Sequence, residues 1–150
     1  MEDKYDCLKL ENQLCFPIYL CSKEIIRKYT PYLKKINLTY TQYIVMMVLW
    51  ESKVINVKDL GEQLYLDSGT LTPLLKKLES KGYITRNRSD KDERNLMIKV
   101  TEKGMELRED ALSVPQEVSK CVKLTNEEAS FLYRILYKMI GSMEGEKNNE

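Results

Sequence analysis

The stretch from residue 64 to residue 100 constrains the fold more than any other part of the chain. Within LYLDSGTLTPLLKKLESKGY, leucines recur at spacings of three and four residues, which predicts the buried face of a helix. These leucines are Leu71, Leu74, Leu75 and Leu78. Asp67 or Ser68 can cap the start of this helix, and Gly82 suits its end. A short helix predicted from about Asn56 precedes it, and the two together predict a helix-turn-helix.

Two strands are predicted directly after these helices. The pattern of apolar side chains predicts strands over residues 83–88 and 94–100, joined by the charged turn SDKDE. A β-hairpin that follows a recognition-type helix is a wing. The sequence therefore predicts a mainly α fold with a small β-wing, a winged helix-turn-helix.

Helical patterns also occupy both ends of the chain. An apolar stripe predicts a helix over about residues 9–34, which Pro17 should kink because proline lacks a backbone donor. Thr39 and Gln42 form a capping box for a second helix with the apolar core IVMMVLW. In the last third, one helix is predicted from about 102 toward 119, disturbed by Pro115, and another begins at Thr125.

The length of 150 residues suits a single domain. We expect a DNA-binding lobe at about 36–100 and dimerisation helices at about 8–34 and 102–143. The outer helices exceed what a small lobe needs to close its core, so their remaining apolar stripes indicate a partner, by default a two-fold homodimer. Because no signal peptide and no membrane-spanning apolar run is visible, we expect a cytoplasmic protein with no membrane partner.

The second helix of the helix-turn-helix and the wing carry side chains suited to DNA. Small hydroxyl side chains at the start of a recognition helix allow close approach to base edges, and basic side chains neutralise phosphates. The window 76–99 has a net charge of +4, although the whole chain carries only +1. Within the wing, Asp92 could orient Arg94 by a charge-assisted hydrogen bond. The side chains predicted to face DNA are Ser68, Thr70, Thr72, Lys76, Lys77, Arg86, Arg88, Asp92 and Arg94.

Cys15 lies on the apolar face of the first predicted helix, in a chain that contains no histidine to activate it. Tyr29 returns to within about 40° of the same face, but roughly 21 Å further along a straight helix. If the first helices of two subunits crossed antiparallel, Cys15 of one would face Tyr29 of the other, and a phenol can stabilise a thiolate by hydrogen bonding. A cysteine used only for packing is the alternative that the periodicity leaves open.

The four cysteines make no CxxC pair, and without histidine a structural zinc site is not expected. We therefore predict no metal and no cofactor. A disulfide framework is not indicated either, because an even cysteine count carries no such meaning in a reducing compartment.

The motifs LENQLCF, LTYTQY, LYLDSGTLTPLLKKLE and RNRSDKDERN, together with VTEKG, resemble the organic hydroperoxide resistance regulators. These are thiol-based repressors of the multiple-antibiotic-resistance regulator (MarR) family, and the likeness covers about residues 8–143. The resemblance implies a homodimeric repressor, not an enzyme, that binds operator DNA when reduced. It also implies that organic hydroperoxides oxidise Cys15 and thereby release the DNA.

The resemblance further implies roles for individual side chains of the redox site. Tyr29 and Tyr40 would hydrogen-bond to the Cys15 sulfur from the opposite subunit, and Tyr19 matches a further tyrosine of that site. In one kind of family member, a second cysteine of the neighbouring subunit forms a disulfide with the oxidised sulfur, and Cys121 lies at about that position. Family members carry an ordinary apolar residue where this chain has Pro17. Cys7 and Cys21 match no position with a known role.

Three other functions remain open from the sequence. The chain could be a MarR-type repressor that responds to a small phenolic or other ligand, with Cys15 structural. It could be a thiol peroxidase, although no active-site arginine or resolving pattern of that kind is visible. It could also be a winged-helix module that binds proteins and not DNA.

Overall fold

The computed structural model describes the backbone of residues 4–89 and 92–147, and the side chains of residues 4–88 and 96–144. Two short 3-10 turns, at Asp6–Leu8 and Leu10–Asn12, come first. The helices are α1 Cys15–Lys35, α2 Tyr40–Ser52, α3 Val57–Leu64, α4 Ser68–Ser80, α5 Glu102–Ala111, α6 Ser113–Ser119 and α7 Asn126–Lys147. The strands are β1 Val54–Asn56, β2 Ile84–Ser89 and β3 Asp92–Val100.

The chain separates into two compact units, Met1–Val118 and Ser119–Glu150. The first unit contains α1 to α5 and the sheet, and the second contains α7. Within the described residues, no helix has the length and apolar character that crossing a bilayer requires.

The first long helix begins later than its apolar stripe predicts. Because α1 begins at Cys15, Pro17 is the third residue of the helix. A proline in the first turn removes no intrahelical hydrogen bond, since the N–H groups there have no partner within the helix. The prediction that Pro17 kinks the helix is therefore wrong, and the proline in the interior of α1 is Pro31.

Helix α2 forms the centre of the first unit. Its capping box is present as predicted, with the Gln42 N–H donating to Thr39 Oγ1 at 3.3 Å and the Thr39 N–H donating to Gln42 Oε1 at 3.1 Å. Val45, Met46 and Leu49 are completely buried. A helix that is apolar nearly all round belongs inside a core, and α2 confirms that expectation.

The helix-turn-helix prediction is confirmed by α3 and α4. Asn56 caps α3, Asp67 caps α4, and all four leucines of the predicted stripe on α4 are buried. After α4 the chain turns at Gly82, whose φ of 78° lies in the left-handed region that glycine adopts without strain.

The wing is part of a three-stranded antiparallel sheet with the order β1-β3-β2. Ile84 pairs with Val100, and Ile55 of β1 pairs with Ile98. The hairpin of β2 and β3 was predicted, but β1 was not. A strand of three residues is too short to show a period of its own, and its pairing with β3 depends on the tertiary fold.

The predicted helix over 102–119 is divided into α5 and α6, which meet at Leu112. Pro115 is the third residue of α6, a first-turn position that proline tolerates. In the second unit, α7 is preceded by the predicted capping box, in which the Thr125 N–H donates to Glu128 Oε2 at 2.8 Å.

Both α1 and α7 leave large apolar side chains exposed. On α1 the exposed fraction is 37–61% for Phe16, Tyr19, Leu20, Ile25 and Ile26. On α7 it is 39–62% for Phe131, Leu132, Tyr133, Ile135, Tyr137 and Met143. Clusters of exposed apolar side chains on this scale are typical of surfaces that bind a partner.

Gly104 allows the start of α5 to approach the turn after α4. The Trp50 Nε1–H donates to the Gly104 carbonyl oxygen at 2.8 Å, which fixes α5 against α2. A Cβ at position 104 would collide with the carbonyl oxygen of Tyr83 and lie 2.8 Å from Val100 Cγ2. This contact therefore requires glycine.

We expect Gly104→Ala to lower the free energy of unfolding by about 1–3 kcal/mol, because backbone atoms must move to admit the methyl group. The measurement is urea denaturation at fixed protein concentration. Gly141→Ala is the control, since nothing lies within 4 Å of its Cβ position. There the helix propensity of alanine should raise stability by up to about 1 kcal/mol. Equal effects at the two positions would contradict the contact at Gly104.

Candidate functional site

Cys15 is the first residue of α1, and its side chain is exposed. Tyr19 lies one turn further along the same helix and is 61% exposed. Tyr29 belongs to the same uninterrupted helix, so it lies about 21 Å along the axis from Cys15. Cys15 and Tyr29 of one chain therefore do not meet.

Tyr29 belongs instead to an aromatic cluster that α1 forms with α2. Its ring lies 5.0 Å from the ring of Tyr40 in an edge-on arrangement and 5.9 Å from that of Tyr43. The Tyr43 ring lies 6.2 Å from that of Trp50. The structure thus brings together the two tyrosines predicted for the redox site. Tyr43 and Trp50 were missed, although Tyr43 lies three residues after Tyr40 and Trp50 lies about two turns after Tyr43 on α2.

Burial raises the pKa of the Tyr29 phenol above its ordinary value, and the neighbouring Tyr40 adds to the increase. Burial likewise raises the pKa of Tyr43, with smaller contributions from Tyr29 and Tyr40. A phenol is protonated at neutral pH even at its ordinary pKa, so these two side chains carry O–H donors there. Such a cluster can donate hydrogen bonds to an anionic atom brought against it.

The raised phenol pKa values predict a loss of stability in alkali. Above about pH 10 the folded chain binds more protons at these phenols than the unfolded chain, so stability falls as the pH rises through that range. We expect Tyr43→Phe to reduce the difference in unfolding free energy between about pH 8 and about pH 10.5. Gly141→Ala changes no phenol and should show the wild-type difference. A Tyr43→Phe difference as large as that of wild type would contradict the assignment.

The start of α4 is held by its cap. Asp67 Oδ1 accepts the Thr70 N–H at 2.8 Å, and the Thr70 hydroxyl donates to Asp67 Oδ2 at 3.1 Å. The backbone hydrogen bond from Thr70, and then its hydroxyl, lower the pKa of Asp67. Thr70 thus stabilises the cap of α4, and it also lies on the surface that is predicted to face DNA. The other predicted side chains of α4 are exposed, away from its buried leucines, and these are Ser68, Thr72, Lys76 and Lys77.

Arg86 of the wing is paired with Glu79 of α4. Its Nε and Nη2 both lie 2.9 Å from Glu79 Oε2, and its backbone N–H donates to Glu79 Oε1 at 3.0 Å. The Arg86 side chain is only 20% exposed. The pair fixes the wing against the recognition helix, a role that sequence reasoning did not assign to either residue. Contact of Arg86 with DNA stays a prediction.

The remaining predicted residues are placed as follows. Arg88 lies on β2 and is exposed. Asp92 and Arg94 lie on β3, but their side chains are outside the described part of the structure. Cys121 is exposed and lies in the second unit, between α6 and α7, and its pairing with Cys15 stays a prediction.

Comparisons with known proteins identify relatives of this chain. The family described as transcriptional regulator SarA/Rot matches residues 27–111. The organic hydroperoxide resistance transcriptional regulator of Bacillus subtilis (strain 168) is 47% identical, over 95% of this chain and 97% of its own length. The regulator SarZ of Staphylococcus epidermidis is 49% identical, over 87% of this chain and 88% of its own length.

Solved structures of AbfR from Staphylococcus epidermidis are also similar to this chain. Reduced AbfR bound to DNA has a TM-score of 0.76 at 34% identity, covering 94% of this chain and 99% of that chain. The disulfide-formed AbfR has a TM-score of 0.63 at 34% identity, covering 95% of this chain and 97% of that chain.

The fold and these relatives define the class as winged helix-turn-helix transcriptional regulators. The chain belongs to the MarR family, in the branch that contains the organic hydroperoxide resistance regulators and SarZ. The resemblance inferred from the motifs is thereby confirmed.

Proposed function

We propose that this chain is a redox-sensing repressor that works as a homodimer. The reduced dimer binds operator DNA, and an organic hydroperoxide oxidises Cys15 and releases the DNA. The observation that carries the proposal is the position of the tyrosine pair. Tyr29 and Tyr40 lie together at the junction of α1 and α2, whereas Cys15 lies about 21 Å from Tyr29 on the same helix. Their phenols are therefore suited to the cysteine of a second copy.

The exposed apolar faces of α1 and α7 support the dimer. Each helix presents several large apolar side chains to solvent, and burying them against a second copy would release that surface from water. A two-fold arrangement with the α1 helices crossing antiparallel would place Cys15 and Tyr19 of one subunit near Tyr29 and Tyr40 of the other.

The chemistry uses the thiolate of Cys15 as the nucleophile. It attacks one oxygen of the hydroperoxide, the O–O bond breaks, and the products are a sulfenate and an alcohol; the sulfenate then takes up a proton from water to become a sulfenic acid. The thiol of Cys121 from the other subunit then attacks the sulfenic sulfur, forming a disulfide and releasing water. A relative that is 47% identical is named for organic hydroperoxide resistance, and AbfR has been solved both reduced on DNA and in a disulfide form.

The DNA-facing surface consists of the outer side of α4 and the wing. Hydroxyl side chains at the start of α4 would read base edges, its lysines would contact phosphates, and the wing arginines would reach the backbone or the minor groove. To weaken operator binding about a hundredfold, oxidation must favour the released form by about 3 kcal/mol.

A gel shift on the promoter region tests the sensing step. Treatment with an organic hydroperoxide should release DNA from the wild-type protein, and a thiol reductant should restore binding. Cys15→Ser should stay bound after the same treatment. Cys21→Ser, which changes an exposed thiol without an assigned role, is the control and should behave as wild type. Release from Cys15→Ser would contradict thiol sensing, and release by a phenolic ligand would then favour the ligand-responsive alternative.

Non-reducing electrophoresis tests the second cysteine. Oxidised wild-type protein should run at the position of a covalent dimer, whereas oxidised Cys121→Ser should run at the position of a single chain. The variant should also retain a sulfenic acid on Cys15, which a cyclic dione captures. Cys7→Ser should cross-link like wild type. A covalent dimer that persists in Cys121→Ser would rule out the assigned disulfide while leaving oxidation of Cys15 intact.

The salt dependence of DNA affinity tests the lysines of α4. If Lys76 neutralises one phosphate, Lys76→Ala should reduce the slope of log K against log salt concentration by about 0.9. Lys28→Ala, which changes an exposed lysine of α1 outside the helix-turn-helix and the wing, is the control and should keep the wild-type slope. Equal slopes for Lys76→Ala and wild type would remove Lys76 from the phosphate contacts.

A further inference from the structure

We propose that Lys81 is the positioning residue that couples the tyrosine pair to the recognition helix, an inference that rests on the proposed redox function. Lys81 is the C-cap residue of α4. Its Nζ donates to the carbonyl oxygen of Asn37 at 2.7 Å and to Gln42 Oε1 at 2.9 Å. One side chain thus connects the end of α4 to the junction of α1 and α2.

The junction that Lys81 contacts has little freedom of its own. Asn37 has a φ of 56°, in the left-handed region that few residues other than glycine adopt. Gln42 is buried, with 3% of its surface exposed, and its Oε1 also accepts the Thr39 N–H at 3.1 Å. The Lys81 ammonium therefore shares an acceptor with the capping box of α2.

The tyrosine pair lies on both sides of this junction. Tyr29 belongs to α1, and Tyr40 is the first residue of α2, between Thr39 and Gln42. A change in how α1 and α2 meet, of the kind that drawing Cys15 of another subunit away from the phenols would produce, must alter the positions of the Asn37 carbonyl and the Gln42 amide. Lys81 is the direct hydrogen-bonded link from these groups to α4.

Lys81 is partly buried, and so is its hydrogen bond to Gln42. Burial lowers the pKa of the Lys81 ammonium, and the positive charge of the neighbouring Lys77 lowers it further. A partly desolvated charge that loses its acceptors is destabilised, so we expect Lys81 to follow the junction.

The backbone at Lys81 extends the link to the base of the wing. The Lys103 Nζ donates to the Lys81 carbonyl oxygen at 2.8 Å, and the Thr101 hydroxyl donates to the carbonyl oxygen of Gly82 at 2.6 Å. Movement at Lys81 would therefore reach α4 and the end of β3 together, which are the elements that carry the DNA-facing side chains.

The test compares operator affinity before and after oxidation in the full-length protein. Lys81→Met keeps the apolar stem and removes the three donors. We expect the ratio of oxidised to reduced Kd to fall from about a hundredfold in wild type to below about tenfold, because the coupling free energy is lost. The oxidation of Cys15, measured as the disappearance of its thiol over time, should proceed at the wild-type rate. Lys81 takes no part in this chemistry.

Two further variants show whether the effect is specific to the donors of Lys81. Lys81→Arg retains a charged donor and should recover most of the wild-type ratio. Lys58→Met, which changes an exposed lysine of α3, should keep the full ratio. If Lys81→Met does not fold, Lys81→Leu, which also lacks a donor, replaces it with the same expected loss.

The possible outcomes separate the two proposals. A wild-type ratio in Lys81→Met, or equal weakening of both affinities, overturns the coupling role and leaves redox sensing standing. Absence of oxidative release in wild type refutes redox sensing, and the coupling role falls with it.

Discussion

The burial of α2 around most of its circumference is the constraint on which the rest of the structure depends. Its fully buried side chains, including Val45, Met46 and Leu49, form the core against which α1, α3, α4 and the sheet pack. Because interiors are close-packed, an element that contacts this helix cannot move without moving its neighbours. The aromatic cluster and the recognition helix therefore share one rigid support.

The residues of the proposed redox site lie at opposite ends of α1. One end of α1 carries Cys15 exposed, and the other end holds Tyr29 against Tyr40. A straight helix keeps these ends about 21 Å apart, so the two halves of the proposed site would complement each other only between copies. Such an arrangement would make sensing and dimerisation inseparable, because neither half has its chemistry without the other.

Much of the fold was predictable because it depends on local patterns. Leucine spacing on α4, the capping boxes of α2 and α7 and the alternation in β3 each arise from neighbouring residues, and all are present in the structure. The candidate site was predictable in part, since Cys15, Tyr29 and Tyr40 lie in recognisable motifs. Where α1 begins was not predictable from the apolar stripe, because Pro17 suits both a kink and a first turn.

The sequence by itself determined the class of fold, the position of the recognition helix and the candidate redox cysteine. Helical periodicity, caps and motifs depend only on residues that are close together in the sequence. Only the tertiary structure decided the pairing of β1 with β3, the ion pair of Arg86 with Glu79 and the hydrogen bonds from Lys81 to the α1–α2 junction. Each of these contacts joins residues from different elements. Such contacts depend on how whole elements pack against each other, and local sequence patterns do not determine that packing.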